Sequence, residues 1–486
     1  MTRTPHRPQD GVHDIAVIGG GIVGAAIARD LSGHDVSVVL IEARDDVGDG
    51  TSKANTAILH TGFDAKPGTL ESRLVSRGYH LLSEYAKATG IPVEHTGAIL
   101  VAWNDEELAA LPGLKKKAED NGYEHCGIVD ADEVHRLLPD LGEGALGGLT
   151  VPDESIICTW TTNLALATDA KRRGTTILLE HRVTGIDQDT ETTTLHTSAG
   201  DVRARWVVNA AGLGADHIDR LFGHDRFTVT PRRGELFVFD KLARPMVNKI
   251  VLPVPSSRGK GVLISPTIYG NVMLGPTAED LEDRTDTATS ENGYDFLLTK
   301  GERLMPRLLS EEVTASYAGL RAAIDHPDYL IEATPEQRYL LVGGIRSTGL
   351  TAGIAIAEHC LTVLKDAGLA LAPRGDLPAP PQMPNIGEAA QRPYQDAELI
   401  ARDPAYGSIV CFCERVTEGE IRDACHATVP ARDLEGLRRR TRAMNGRCQG
   451  FFCGAAVAAL QDKHRSSDDT NKTDSCTGCA GRHKDA

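Results

Sequence analysis

A strand, a glycine turn and a helix near the start of the chain constrain its fold most. In HDIAVIGGGIVGAAIARDL a continuous apolar run from Ile15 to Ile18 passes through Gly19, Gly21 and Gly24 into a helical pattern, and VSVVLIE supplies a second buried strand. Gly19 permits a tight turn, Gly21 lets backbone approach a pyrophosphate, and Gly24 lets helix and strand pack closely. The helix N-terminus stabilises phosphate charge. Glu42, eighteen residues beyond Gly24, stands where a ribose hydroxyl would be bound. The alternative is a glycine turn with no dinucleotide, which the acidic residue at this spacing disfavours. The fingerprint does not separate NAD from FAD, because both share the adenosine-diphosphate half.

Length and charge narrow the class. At roughly 150 residues per domain, 486 residues predict two to four domains with a large core. Fifty-two Lys and Arg against 68 Asp and Glu leave a charge of −16, which argues against nucleic acid or an anionic membrane surface as main partner. The opening MTRTPHRPQD lacks an apolar signal core and no run of about 18 uncharged apolar residues exists, so a cytoplasmic protein without a transmembrane segment is expected.

Further strand–turn–helix pieces lie far along the chain, in ARWVVNAAGLGAD (204–216) and RYLLVGGIRSTGLTAGIAIAEHCLTVL (338–364). Segment 76–149 reads as helix-rich with an inserted strand pair. Segment 227–330 alternates β-branched or aromatic residues with polar ones, as antiparallel strands with one exposed face do. The expected organisation is an α/β chain: a Rossmann-like nucleotide domain over 12–370, in pieces 12–75, 150–226 and 331–370, with an inserted, mostly antiparallel substrate domain from 76–149 and 227–330. A Pro-rich, semi-extended linker (371–405), a small cysteine domain (406–462) and a polar tail (463–486) expected to be disordered complete it.

The small and polar residues of TSKANTAILHTG (51–62) follow the acidic residue where a chain would run along a ribityl chain and flavin ring. Together with VNAAGLGAD and GGIRSTGLT, this resembles the FAD-dependent oxidoreductases of the D-amino-acid oxidase superfamily. KANTAILHTGFDAKPGTL, TPRRGE, LGPTAED and GLR look closest to its anaerobic glycerol-3-phosphate dehydrogenase and L-2-hydroxyglutarate oxidase branch. The resemblance covers about 12–365 and implies non-covalent FAD with substrate bound above the flavin. It assigns Gly19, Gly21, Gly24, Glu42, Ser52, Asn55, Gly212, Ile345, Gly349, Leu350 and Thr351 to FAD. Arg346-Ser347-Thr348 departs from the pattern, which has a proline before the glycine.

Oxidising an alcohol with a flavin needs a hydride acceptor and a base for the hydroxyl proton, and His60 in I-L-H-T-G is the candidate. The alternative is a packing histidine bonded to backbone. For an anionic substrate, Arg321 in Y-A-G-L-R offers the planar fork that suits phosphate or carboxylate. Lys66 and Lys260 are weaker candidates, and Arg232 and Arg233 are expected to form ion pairs with Glu235 or another acid.

Cys411-x-Cys413 and Cys448-x4-Cys453 give four thiolates in two close pairs, able to bind zinc or a [2Fe–2S] cluster, although C-x-C is tight for a zinc knuckle. VCFCERVTEGEI with RCQGFFC resembles the bacterioferritin-associated ferredoxin type of [2Fe–2S] domain, which implies a cluster on Cys411, Cys413, Cys448 and Cys453 within 409–461. From Cys411 to Asp462 eight Arg oppose seven acids, and these guanidinium groups would stabilise an anionic cluster or, for Arg438 to Arg440, form a solvated face. Cys425, Cys126, Cys158 and Cys360 read as packing thiols. Cys476 and Cys479 lie in the tail, as a metal or redox pair or in a dispensable segment.

A hydride-accepting flavin beside a one-electron cluster fits a dehydrogenase. The expected reaction takes sn-glycerol 3-phosphate to dihydroxyacetone phosphate, with electrons passing through the cluster to a partner subunit or quinone at the membrane, where this chain would dock peripherally through the partner. The rivals are L-2-hydroxyglutarate oxidation, amine oxidation, and a flavin/iron–sulfur electron carrier.

Overall fold

The computed structural model describes residues 10–255 and 261–473. It divides into two compact units, residues 1–390 and 391–486.

The first unit contains an eight-stranded sheet. Its parallel centre runs Thr176–Leu178, Val38–Ile41, Val12–Ile18, Gly200–Asn209, Tyr339–Gly343, so strands from both ends of the unit lie side by side. Val38–Ile41 and Tyr339–Gly343 are buried throughout, as a sheet covered on both faces requires. The helices Ile22–Leu31, Thr159–Arg172, Leu70–Thr89 and Gly349–Asp366 pack side by side as one layer.

A second sheet of nine strands draws on both expected substrate segments. Ala98–Ala102, Gly127–Asp130 and Gly147–Val151 come from the first, and Val229–Phe239, Ile250–Pro253, Leu263–Pro266, Val272–Gly275, Glu279–Asp280 and Val313–Ile324 from the second. One parallel contact, Ile250–Pro253 beside Ala98–Ala102, joins the two sets in an otherwise antiparallel sheet. Ile99, Val101, Phe237, Phe239, Ile264 and Leu274 form its buried face. Its longest ladder, Val229–Phe239 against Val313–Ile324, carries Arg321.

The segment after Asp366 is no free linker. Up to Ala390 it is laced to the first unit by the Asp35 N–H on the Ala372 carbonyl, Arg374 on the Ser32 and Arg173 carbonyls, the Met383 N–H on the Thr89 carbonyl and the Glu388 N–H on the Ile268 carbonyl. Lacking apolar periodicity, it is held by hydrogen bonds of its backbone and of side chains such as Arg374. Residues 391–407 fold with the second unit, where Arg392 is buried against Glu420 at 3.1 Å.

The second unit has a two-stranded ladder, Ile409–Cys411 with Val416–Thr417, and three helices, Glu418–Cys425, Leu434–Thr441 and Gly454–Thr473. The last begins on the buried Val457 and continues to Thr473, past the expected boundary at 462, since a packed first turn lets a helix propagate. Residues 474–486, with Cys476 and Cys479, lie outside the described residues, as does Lys260. Among the described residues no helix is long and apolar enough to cross a membrane.

Candidate functional site

Gly19 has φ +107°, and a Cβ there would come within 2.4 Å of the Ala210 carbonyl oxygen. A Cβ on Gly24 would come within 1.9 Å of the Gly19 oxygen, so any larger residue would force helix and turn apart. Gly21 leaves room for Ser52, whose hydroxyl accepts from the Ile22 N–H at 2.9 Å and closes the helix end. Glu42 accepts from the Gly20 N–H at 2.6 Å and the Arg44 N–H at 2.9 Å, and burial holds its carboxyl above the usual range. It therefore braces the glycine turn itself, a role beyond the ribose contact expected of it, with acceptor capacity to spare.

Asn55 uses its side-chain amide within the chain. It donates to the Ser52 carbonyl and accepts from the Ala57 N–H and the Thr159 hydroxyl. Its side chain shapes the 51–57 segment, and its carbonyl accepts from Tyr317. Gly212, at φ +55°, opens the turn after Gly200–Asn209 with free space beside it. Gly349 begins the last helix against Ile345, Ile22 and Val23, so the two helix N-termini and the 51–57 segment converge. Leu350 is half-buried beside it, and buried Thr351 accepts from the His60 N–H at 3.0 Å. In Arg346-Ser347-Thr348, the stretch that departs from the resemblance, Arg346 takes φ +55° and binds Glu71 at 2.5 Å, which also accepts from Thr348 at 2.9 Å.

His60 is not a backbone-bonded packing histidine. Its Nδ1 lies 3.0 Å from Oε2 of Glu154, a fully buried carboxylate whose other oxygen accepts from the Thr61 N–H at 2.7 Å and the Thr61 hydroxyl at 2.9 Å. The ring keeps 23% of its surface exposed. With Nδ1–H donated to Glu154, Nε2 is left as the free acceptor. Sequence reasoning missed Glu154, whose partner is 94 residues away.

Arg321 is half-buried, and among the described residues no carboxylate is paired with it. Its nearest polar contact is the Thr277 carbonyl at 3.5 Å. Burial, with Arg232 nearby, pulls its guanidinium below the ordinary value. The room it occupies comes from Gly234 opposite, where a Cβ would stand 2.8 Å from Nη2. Gly234 is thus the informative residue of TPRRGE. The two arginines beside it form ion pairs, Arg232 with Asp280 at 2.5 Å and buried Arg233 with Glu279 at 2.6 Å and Glu235 at 3.4 Å. Lys66 is exposed.

In the second unit Cys411, Cys413, Cys448 and Cys453 lie close enough to act on one another, Cys413 most strongly on Cys448 and Cys453 on Cys411. Among the described residues no three Cys, His, Asp or Glu side chains gather round one ion position. Four thiols supplied by two adjacent loops are the donor set that a [2Fe–2S] cluster uses. The N–H groups of Phe452, Gly450 and Phe451 point at Cys448 and hold its thiol below the ordinary value, which favours the ligating thiolate. A Cβ on Gly446 would meet Cys413 Cβ at 2.2 Å, so glycine is needed where the loops cross. Arg415, Arg442, Met444 and Gln449 all adopt positive φ in these loops, a concentration of strain expected at a functional centre. For Arg438 to Arg440, read either as stabilising the cluster or as a solvated face, the contacts are those of braces. Buried Arg440 donates to the Val429 and Gly436 carbonyls, Arg439 is buried, and Arg438 binds Glu435 and Asn445. Buried Arg442 pairs with buried Glu414 at 2.9 Å. Cys425 lies in the core of this unit, and Cys126, Cys158 and Cys360 are buried in the first.

Comparison with known proteins gives the same division. Residues 14–361 match the FAD dependent oxidoreductase family and 409–462 the BFD-like [2Fe-2S] binding domain. A glycerol 3-phosphate dehydrogenase of Caloramator mitchellensis is 35% identical over 92% of this chain and 93% of its own length. A mitochondrial L-2-hydroxyglutarate dehydrogenase of Arabidopsis thaliana is 28% identical over 71% of this chain and 82% of its own. A Mycoplasma pneumoniae L-α-glycerophosphate oxidase solved with FAD bound superposes with a TM-score of 0.73 at 27% identity, covering 77% of this chain and all of that one. The chain belongs to the FAD-dependent oxidoreductase family and joins its flavoprotein unit to a BFD-like [2Fe-2S] domain.

Proposed function

We propose that the chain oxidises sn-glycerol 3-phosphate to dihydroxyacetone phosphate and passes the electrons through the cluster unit to an acceptor, a partner protein or a quinone reached through one. The observation that carries the chemistry is the contact of His60 with Glu154. A buried carboxylate fixes the imidazole tautomer, so Nε2 is free to take the hydroxyl proton. Bound FAD supplies the two-electron acceptor. Glu154 acts as a positioning residue, Thr351 fixes the His60 backbone, and Arg321 meets the substrate's anionic group with a guanidinium that no acid among the described residues neutralises. The glycine turn, Glu42, Ser52 and the 345–351 turn would hold the cofactor, and Cys411, Cys413, Cys448 and Cys453 the cluster.

The dehydrogenase relative that spans 92% of this chain supports glycerol 3-phosphate, because its match extends across both units. The Arabidopsis relative keeps L-2-hydroxyglutarate as a second reading, since one arginine serves phosphate or carboxylate alike. An anaerobic absorbance spectrum before and after sn-glycerol 3-phosphate tests both. Joint bleaching of flavin and cluster bands is expected. Bleaching by L-2-hydroxyglutarate alone would transfer the assignment to the second reading, and bleaching by NADH alone would make the chain an electron carrier.

A further inference from the structure

Three phenylalanines stand where the cysteine loops meet solvent. Phe412, between Cys411 and Cys413, is 75% exposed, and Phe451 and Phe452, between Cys448 and Cys453, are 84% and 80% exposed with rings edge to face at 5.2 Å. Side chains of this size are ordinarily inside, and exposed apolar side chains gathered on a folded surface mark an interaction site; Cys413 against Cys448 brings the two loops that carry them together. Arg415 and Arg447, both exposed, stand in the same two loops. The one acid of the two loops, Glu414, is buried under Arg442. This local charge runs against the −16 of the whole chain.

We propose that this face docks a one-electron acceptor protein whose redox centre lies in an apolar depression with an acidic rim. The proposal rests on the reading that electrons leave through the cluster unit. Size favours a transient redox partner over a stable second copy. Three phenylalanines present on the order of 450 Å² of aromatic surface, whereas a stable interface needs about 800 Å² from each partner and redox encounters need less. Each encounter moves one electron: the cluster is oxidised by one and the partner's haem or iron–sulfur centre reduced by one, so two encounters clear each substrate's electron pair.

The test uses the full chain with both cofactors, reduced photochemically so that no substrate is needed. The probes are cytochrome b5, acidic around its haem edge, cytochrome c, basic there, and ferricyanide as a small acceptor. Cytochrome b5 should be reduced faster than cytochrome c, and at least tenfold more slowly once salt rises from about 0.02 M to about 0.5 M. The triple substitution Phe412→Ser, Phe451→Ser, Phe452→Ser should slow cytochrome b5 reduction at least tenfold, leaving cluster absorbance and ferricyanide reduction unchanged. An unchanged cytochrome b5 rate in that variant overturns the proposal. So does a variant that instead loses binding to phosphatidylserine vesicles, which would give the face to a membrane. Should the variant lose its cluster, the unmodified chain decides, and preference for cytochrome c refutes the proposal. If photoreduced protein passes electrons as expected while sn-glycerol 3-phosphate reduces nothing, the substrate reading falls and the docking face stands.

Discussion

The two units assemble their centres in opposite ways. The proposed flavoprotein site draws on Gly19, Ser52, His60, Glu154, Arg321 and Thr351 from across some 330 residues, carried on or beside strands and helices that a buried sheet holds in register. The cluster unit sets its four cysteines within 43 residues. It fixes them with strained loops, a glycine crossing and buried arginine braces. A centre built from distant pieces depends on the whole sheet, whereas one built from adjacent loops depends on local backbone. Damage to either should therefore stay within its own unit.

The strongest attempt to break that contrast is Cys448→Ser. It should abolish the cluster's absorbance yet leave the rate of substrate-driven flavin reduction within about twofold, and loss of flavin reduction would show the centres to be interdependent. His60→Ala should slow flavin reduction by roughly 10²- to 10⁴-fold with FAD retained, read by anaerobic stopped-flow. Glu154→Gln keeps the shape and removes the charge. It should slow the limiting rate of reduction by up to about a hundredfold without raising the substrate concentration that gives half the rate. A purely structural Glu154 would instead show itself as FAD loss at unchanged limiting rate. The smallest effect is expected from Gly234→Ala, whose Cβ would press on the flexible end of Arg321. It should raise the half-saturating substrate concentration by about tenfold or less at constant limiting rate, and no rise would separate Arg321 from substrate binding.

The same contrast explains what could be read from sequence. The glycine fingerprint and the paired cysteines were legible because their geometry is encoded within a few residues of each other. Glu154 was not, since its carboxylate acquires meaning only when the strand Ser155–Ile157 pairs with Ile58–Leu59 and brings Thr61 and His60 against it. Arg321 was legible as a type of residue, but the space that makes it useful lies at Gly234, across a ladder invisible in the linear order. Arg439 and Arg440, for which a solvated face was one of two readings, went the other way. Charge suggests solvent, yet the small core around Val416, Ile421 and Leu437 closes over them and engages Arg440 with backbone carbonyls and Arg442 with Glu414.

The laced segment ending at Ala390 bears on where such a chain can be cut or recombined. A flavoprotein fragment ended at Asp366, the close of its last helix, would strip partners from the Asp35 N–H and the Thr89 and Ile268 carbonyls, in both the nucleotide and the substrate halves. Exposed, those groups would form ragged edges able to seek other chains. The viable seam lies after Ala390, so any exchange of acceptor modules, in the laboratory or in descent, must carry the strap along with the flavin half.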